Sequence, residues 1–531
     1  MSLDPKGATP GQSIHSRTFA FICGEEFLIA VVLAGAGGAC AFLGFCGFGI
    51  WPLALISLPL LWRALEEVRS DRLKWAALLG FVFGQVAYSG GFHWMWRIVD
   101  VFLDGNVVLG GLLWIADSSW FALRFALYAS AYTLLRRRGW PVVVAALPPL
   151  LVVEWLHPLL FPVYLGHSLL PLITMIQIAD VGGPLLLTGL LVMLNVAVFE
   201  TWRWVRRERG APNMVGIATL CAVALAWSYG SRRIARIDEV AAAAPALQVG
   251  IVQANIGVRD KGDDPARDHR AYLTQTHQLL QEGNVDLVVW PETVYTRGLR
   301  RPLPLSGRLI REELDVPLLF GAASVSGESG RNLKYNSALL VGGDGVIRDA
   351  YDKNLLIPFT EYVPLADRIA AIAERFAGAS EFSAGNSQQP LRLGEWRIAT
   401  PICHEIVQAA FVRRMVAAGA PHLIVTLAND SWFGDSQAPW LHLAMARLRG
   451  IEHRRYVVRA TNSGVSAVID ANGRAVVRSG LLQRENLRAT VRMLNETTAY
   501  TRWGDWPGWL AAFVLTLAAF SPRRHGDTEK M

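Results

Sequence analysis

The first 235 residues contain apolar stretches so long and so closely spaced that water cannot be the only solvent of this chain. A bilayer core takes about 20 residues of helix to cross. A spanning segment must also satisfy its own backbone hydrogen bonds, which makes helix the expected form. Candidate spans read near residues 27–46, 49–65, 75–97, 107–135, 140–157, 184–203 and 213–230. A Gly/Phe-rich turn around Gly47–Gly49 separates the first two. An eighth stretch, near 505–521, closes the chain and begins among Trp503, Trp506 and Trp509. The first twenty residues are polar, with no small-residue cleavage site behind a short apolar core, so the first span is read as a retained anchor.

The basic clusters orient these spans. Arg63 to Lys74, Arg136-Arg137-Arg138, Arg203 to Arg209 and Arg523-Arg524 fall on one side of the alternating spans, which the positive-inside rule makes cytoplasmic. Both termini are then cytoplasmic, and the region between the seventh and eighth spans lies outside. Arg232, Arg233 and Arg236 disagree with this assignment. The same clustering explains the net charge of +7 without nucleic acid, for which no binding motif is present. Hydrophobic residues at 52%, charged residues at 18% and a mean hydropathy of +0.29 fit a membrane protein carrying a folded water-facing part. The five cysteines, Cys23, Cys40, Cys46, Cys221 and Cys403, form no Cys-x-x-Cys pair, so neither a disulfide framework nor a zinc site is indicated.

Residues 231–246, ending in an alanine run and Pro245, read as a linker. From 247 to about 495 short strand-like runs alternate with helix-like stretches. The runs are 247–253, 285–290, 318–324, 338–341, 397–402, 422–427 and 465–469. Two of them, 285–290 and 422–427, are almost continuously apolar, as in strands covered on both faces. Gly343-Asp344-Gly345 and Ala471-Asn472-Gly473 read as hairpin turns. The expected organisation is a multi-span helical membrane domain over 1–235, an α/β domain over 247–495, and a last span with a tail over 503–531.

Three islands in the α/β region carry chemistry. They are Trp290-Pro291-Glu292, Tyr351-Asp352-Lys353-Asn354-Leu355 and Pro401-Ile402-Cys403-His404-Glu405. Each lies at or beyond the end of a strand-like run, where α/β sheets place reacting groups. Singly, Glu292 reads as a loop carboxylate, Lys353 as a solvated lysine and Cys403 as a small buried hydrophobe. Together they supply a thiol, its base and a cation for an oxyanion. His404 is a poor base for Cys403, because neighbours in an extended segment point to opposite sides. It reads as a structural or pocket-rim residue, and nothing in the sequence brings His422, His442 or His453 to the thiol.

The Glu–Lys–Cys order, in these contexts, resembles the carbon-nitrogen hydrolase (nitrilase) superfamily. With spans on both sides, the whole chain resembles the apolipoprotein N-acyltransferase family, which completes bacterial lipoprotein maturation. Lys353 to Pro364, Asn429 to Ser436, Gln437-Ala438-Pro439 and His442 to Arg449 are similar to that family's signatures. The resemblance implies a nitrilase-like α-β-β-α sandwich, a thioester on Cys403, Glu292 as base, Lys353 on the oxyanion, and Glu361 and Glu405 as supporting acids. The residue after the nucleophile is often Tyr in the family and is His404 here. The family's partners would be a phospholipid acyl donor and a diacylated apolipoprotein acceptor. The family's place would be the bacterial inner membrane with the catalytic domain periplasmic, and no cofactor or metal is needed.

Asn429, Trp432 and Phe433 are the substrate-binding candidates, with the two aromatics read as a hydrophobic arm near the bilayer. Trp94-Met95-Trp96-Arg97 reads as an interfacial aromatic belt. Asp117 and Arg124, seven apart on one helical face, read as a structural pair inside the membrane. Two competing readings remain: a membrane-tethered amidase or nitrilase-type hydrolase using water, and a transporter or scaffold with an inactive enzyme domain.

Overall fold

The computed structural model describes residues 12–45, 47–67, 73–96, 106–211, 213–257, 260–327, 333–364, 368–369 and 382–521, the side chains of 12–24 and 213 excepted. Cys46, Arg69, Arg72, Arg97 and Arg523-Arg524 lie outside the described residues, as does the side chain of Cys23.

The apolar stretches are helices: α1 (Gln12–Leu43), α2 (Ala54–Glu67), α3 (Leu73–Gly91), α4 (Val107–Arg137), α5 (Val142–Leu156), α6 (Ala179–Val205) and α7 (Asn213–Ala243). Four segments are long and apolar enough to cross a membrane, Glu25–Leu43, Val107–Arg137, Met175–Val205 and Met214–Ala243. Val142–Leu156 and Trp506–Phe520 are shorter apolar helices. Small residues let these helices close on one another, as membrane packing requires. A Cβ on Gly80 would sit 2.1 Å from the Phe125 carbonyl oxygen, and one on Gly84 2.7 Å from the Ala122 Cα, so α3 lies directly against α4. Leu112, Leu113, Leu220 and Leu225 remain exposed, as side chains facing lipid would be.

The α/β domain begins where α7 ends. One sheet runs β13-β1-β2-β4-β5-β6, with β3 beside β4. Its strands are β1 (Ala246–Gln253), β2 (Leu287–Val289), β3 (Tyr295–Arg301), β4 (Leu318–Ser326), β5 (Leu333–Val341), β6 (Ile347–Asp352) and β13 (Glu485–Arg492). The other runs β12-β11-β10-β9-β8-β7. Its strands are β7 (Leu391–Leu393), β8 (Trp396–Ala399), β9 (Leu423–Ala428), β10 (Tyr456–Thr461), β11 (Ala467–Ile469) and β12 (Ala475–Arg478). The first sheet has four parallel strands, β1-β2-β4-β3, and the second has three, β8-β9-β10.

Alternation along β2 explains the continuous apolar run. Leu287 and Val289 join the core shared with the second sheet, whereas Val288 and Trp290 pack on the other face against Tyr272, Leu273 and Leu279 of helix α8 (Pro265–Gln281). Helices α9 (Ala409–Gly419) and α10 (Ala438–His453) join the core on the second sheet's side. Both expected hairpins form, β5 to β6 and β11 to β12, with Gly345 and Gly473 each at φ 80°. The last helix, α11 (Trp506–Phe520), returns to the membrane domain, where Trp506 donates to the Val181 carbonyl at 2.9 Å.

Three expectations need correction. Residues 231–246 are no linker, because α7 continues as helix to Ala243. Its far end is tied to the α/β domain, Asp238 accepting from Asn472 at 2.8 Å and from Arg474. Trp94 is no belt residue: it is buried, edge-on to Phe433 at 4.9 Å, while Trp96 is exposed. Asp117 and Arg124 form no pair, since seven residues along a helix is roughly 10 Å. Arg124 instead donates to the Val163 carbonyl at 2.8 Å and lies over the Tyr88 ring.

The two domains are clasped by one buried cluster. Arg454 follows α10 in the left-handed conformation and inserts its guanidinium into the membrane domain. It donates to Asp180 at 2.8 and 2.9 Å and to Gln177 at 2.6 Å. Asp180 also accepts from Tyr229 at 2.7 Å and Arg233 at 2.8 Å. The discordant basic cluster is thereby explained in part. Arg233 is neutralised by Asp180 and by Glu496 at 3.5 Å, and Arg236 reaches Glu496 at 3.9 Å.

Candidate active site

The three islands meet where the ends of the two sheets face one another. The first sheet brings Glu292, just beyond β2, Asn336 on β5 and Lys353, just beyond β6. The second brings Cys403, at the start of a 3-10 turn over Cys403–Val407 that follows β8.

Lys353 is 1% exposed, so its charge requires partners inside the protein. Its ammonium donates to Glu361 Oε1 at 2.8 Å and lies 3.5 Å from Glu292 Oε1. Asn336 sits between the same two acids, its amide donating to Glu292 at 2.8 Å and Glu361 at 3.2 Å. The Lys353 N–H bonds the Asn336 carbonyl at 2.9 Å, so the β5–β6 pairing itself sets this spacing. Burial disfavours the ammonium, but Glu292, Cys403 and Glu361 outweigh it and hold the lysine above its ordinary value. The Cys403 thiol is shifted upward as well. Burial and the Glu292 carboxylate push it well up, against the pull of Lys353, so at neutral pH the group is the protonated thiol.

Glu405 is fully buried and never touches the lysine. It accepts from Ile402 N–H at 2.8 Å, Asn354 N–H at 2.6 Å, Leu355 N–H at 2.9 Å and the Tyr351 hydroxyl at 2.8 Å. It thus ties the strand end that carries Lys353 to the turn that carries Cys403. Burial pushes it up to about 7, opposed by its backbone donors.

His404 turns its ring to the membrane domain, edge-on to Phe161 at 5.9 Å and beside Gln408, whose amide donates to the Leu160 carbonyl at 2.7 Å. Burial, with Lys353 and His442 nearby, pushes it down to about 3, so it stays neutral. Phe433 packs on Trp94, Trp94 on Phe161 and Phe161 on His404, which makes one aromatic wall from the membrane domain to the residue after Cys403. Trp432 is half-buried in the same turn, Asp430–Phe433. Asn429 faces inward, its carboxamide oxygen accepting from Ser431 at 2.8 Å and Asn462 at 3.3 Å.

Sequence reasoning missed several residues of this site. Asn336 carried no signal, since it lies in the polar first half of β5, before the apolar run at 338–341. Lys261 donates to the Glu292 carbonyl at 2.9 Å, and burial pushes it down to about 8. His442 reaches the Cys403 carbonyl at 3.2 Å, although nothing in the sequence placed it there.

Comparison with known proteins agrees with this architecture. Residues 248–499 match the carbon-nitrogen hydrolase family, and residues 37–197 match the apolipoprotein N-acyltransferase N-terminal domain. The apolipoprotein N-acyltransferase of Azotobacter vinelandii is 32% identical over 92% of this chain and 94% of its own length. That of Geobacter metallireducens is 31% identical over 94% and 96%. Among solved structures, Saccharomyces cerevisiae Nit3, of the nitrilase superfamily, is similar at 15% identity and a TM-score of 0.37, over 46% of this chain and 90% of that one. A carbon-nitrogen hydrolase from Helicobacter pylori is similar at 16% identity and a TM-score of 0.36, over 49% and 94%. Matched along nearly the whole length of such relatives, with a carbon-nitrogen hydrolase domain set among apolar helices, this chain belongs to the apolipoprotein N-acyltransferase family.

Proposed function

We propose that this protein moves an acyl chain from a membrane phospholipid, through a thioester on Cys403, to the α-amino group of an N-terminal diacylglyceryl-cysteine. The observation that carries the reading is the buried cluster of Glu292, Lys353, Glu361 and Asn336 set against a raised Cys403 thiol. The aromatic wall of Trp94, Phe161 and Phe433 supports a lipid donor, because it gives the site an apolar border on its membrane side.

In the first step Glu292 takes the Cys403 proton as sulfur attacks the ester carbonyl. Negative charge develops on the carbonyl oxygen, and Lys353 with backbone N–H groups at the Cys403 turn receives it. Collapse breaks the ester C–O bond. The leaving alkoxide takes the proton from Glu292 and departs as lysophospholipid. In the second step the acceptor amine attacks the thioester, Glu292 takes the amine proton, and the C–S bond breaks. The proton returns to sulfur, leaving an amide and the free thiol. Glu361 and Asn336 keep Lys353 and Glu292 apart at fixed spacing, and Glu405 holds the two strand ends in register. The catalytic domain works on the periplasmic side of the inner membrane.

Water competes with the amine for a thioester unless the site excludes it. The test is to supply phospholipid alone to purified full-length protein in lipid micelles. Lysophospholipid should appear in an amount no larger than the enzyme present, with an acyl-sized mass on Cys403. A peptide bearing a free N-terminal diacylglyceryl-cysteine should restart turnover, and its N-acetylated form should not. Steady release of fatty acid without peptide would replace this reading with a water-using hydrolase.

A further inference from the structure

We propose that His442 is a positioning residue for the nucleophile, holding the Cys403 carbonyl so that the thiol and the next peptide N–H face the reacting acyl group. The inference rests on Cys403 as the nucleophile and adds a residue to that machinery.

Cys403 has φ of 51°, in the left-handed region that residues with a Cβ rarely adopt. A residue persists there only where its surroundings over-determine it. Two contacts surround this one. Behind it, the Ile402 N–H is held by Glu405 at 2.8 Å. Ahead of it, His442 Nε2 lies 3.2 Å from the Cys403 carbonyl oxygen.

His442 is itself held. It projects from α10, is buried, and places Nδ1 3.1 Å from Asp430 Oδ1. Asp430 Oδ2 pairs closely with the Arg459 guanidinium, and both residues are fully enclosed. Arg459 Nε in turn donates to the Val465 carbonyl at 3.2 Å. A chain of polar contacts therefore runs from β10 through the turn after β9 to the nucleophile's backbone. A buried arginine and aspartate are costly to keep, and here they end on a histidine ring.

Both ring nitrogens face acceptors, so making both bonds takes both ring protons. Burial and the Arg459 guanidinium outweigh Asp430 and the Cys403 carbonyl and lower the ring below its ordinary value, so the neutral form with one ring proton is favoured. The bond to Cys403 is made whenever Nε2 carries its proton.

Peptide geometry turns this contact into a catalytic consequence. The peptide joining Cys403 to His404 is planar, and in the trans form its N–H points opposite to its C=O. Fixing the carbonyl on His442 therefore fixes the direction of the His404 N–H. That N–H stands at the open end of the 3-10 turn, where donors lack partners within the turn. It is one of the backbone donors available to an oxyanion on the acyl carbon.

Two substitutions separate this role from packing. In His442→Gln the amide reaches the position of Nε2 and can still donate to Cys403. In His442→Asn the shorter amide reaches only toward Asp430. Both leave a polar, smaller side chain in the same place. The measurement is the single-turnover rate of Cys403 acylation by phospholipid in the full-length protein, with the apparent affinity for lipid and the thermal midpoint followed alongside. The Asn variant should lose on the order of 100-fold in acylation rate, the scale of a misplaced reacting group. The Gln variant should recover most of that rate, with lipid affinity unchanged in both. Equal rates in the two variants, whether both high or both low, would overturn the proposal. So would a loss confined to lipid affinity or to thermal stability. Cys403→Ala, run in parallel, reports on the underlying reading: if it still transfers acyl chains, the nucleophile itself is wrong.

Discussion

Replacing Lys353 with methionine keeps most of the side chain's volume and deletes its charge. The ammonium it removes lies 2.8 Å from Glu361 and 3.5 Å from Glu292 in a site shut off from solvent. At an effective dielectric constant of about 20, unit charges at such separations attract by roughly 5 to 6 kcal/mol before desolvation is counted. Removing one partner of a buried pair costs about 3–5 kcal/mol net, because the charges left behind have no counterion. Here two carboxylates are left, bridged only by the Asn336 amide. Losing an oxyanion partner costs a further factor of about 100 to 1,000 in rate. Lys353→Met should therefore both unfold at a lower temperature and form the Cys403 adduct at least 100-fold more slowly. The assay is intact-protein mass after mixing with phospholipid, beside a thermal melt. Adding Glu361→Gln removes one of the two stranded charges, so the double variant should regain part of the stability but not the rate. Adduct formation at the native rate in a folded Lys353→Met protein would refute the reasoning. Recovery of rate in the double variant would reduce Lys353 to a structural counterion.

Four other outcomes follow from the same geometry. Because burial and Glu292 raise the Cys403 thiol, its thiolate fraction below the raised value climbs about tenfold per pH unit. Alkylation by iodoacetamide should still be rising at pH 9, and a plateau below pH 8 would contradict this. Trp94→Ala together with Phe433→Ala opens the aromatic wall, and should weaken phospholipid affinity while leaving Cys403 open to alkylation. Arg454→Met leaves Asp180 with Arg233 and Tyr229 but removes its second guanidinium from the domain clasp, and should lower stability by about 1–3 kcal/mol, read by thermal melting and by protease cleavage between the domains. A reporter fused after Pro245 should be active outside the cytoplasm, and activity inside would reverse the orientation argued from the basic clusters.

The elements of this chain were legible because hydrophobic pattern is local. Each of the eight apolar stretches lies on a helix, and the run from Val285 to Trp290 holds a strand buried on both faces, as its unbroken apolarity implies. The hairpin turns announced themselves through Gly345 and Gly473, whose positive φ suits glycine. Strand β10 was hidden for the opposite reason. Its Arg459, with Arg454 and Arg455 just before it, looks like a solvated surface, yet all three are buried by partners far away in the chain.

The sequence by itself determined the division into apolar helices and an α/β domain. Its motifs also pointed to Glu292, Lys353 and Cys403 as the residues to watch. Those features are written within single segments, as periodicity or as short signatures. Tertiary structure decided which polar groups surround them. Asn336 stands between Glu292 and Glu361 because β5 pairs with β6, and His442 meets Cys403 because α10 lies beside the turn after β8. It also decided that α7 runs on to grip the α/β domain and that Trp94 turns inward to Phe433. The physical reason is the same in each case. Burial of apolar surface can be read residue by residue, but a buried polar group is stable only beside a specific partner. Which partner that is depends on how segments from distant parts of the chain come to lie side by side.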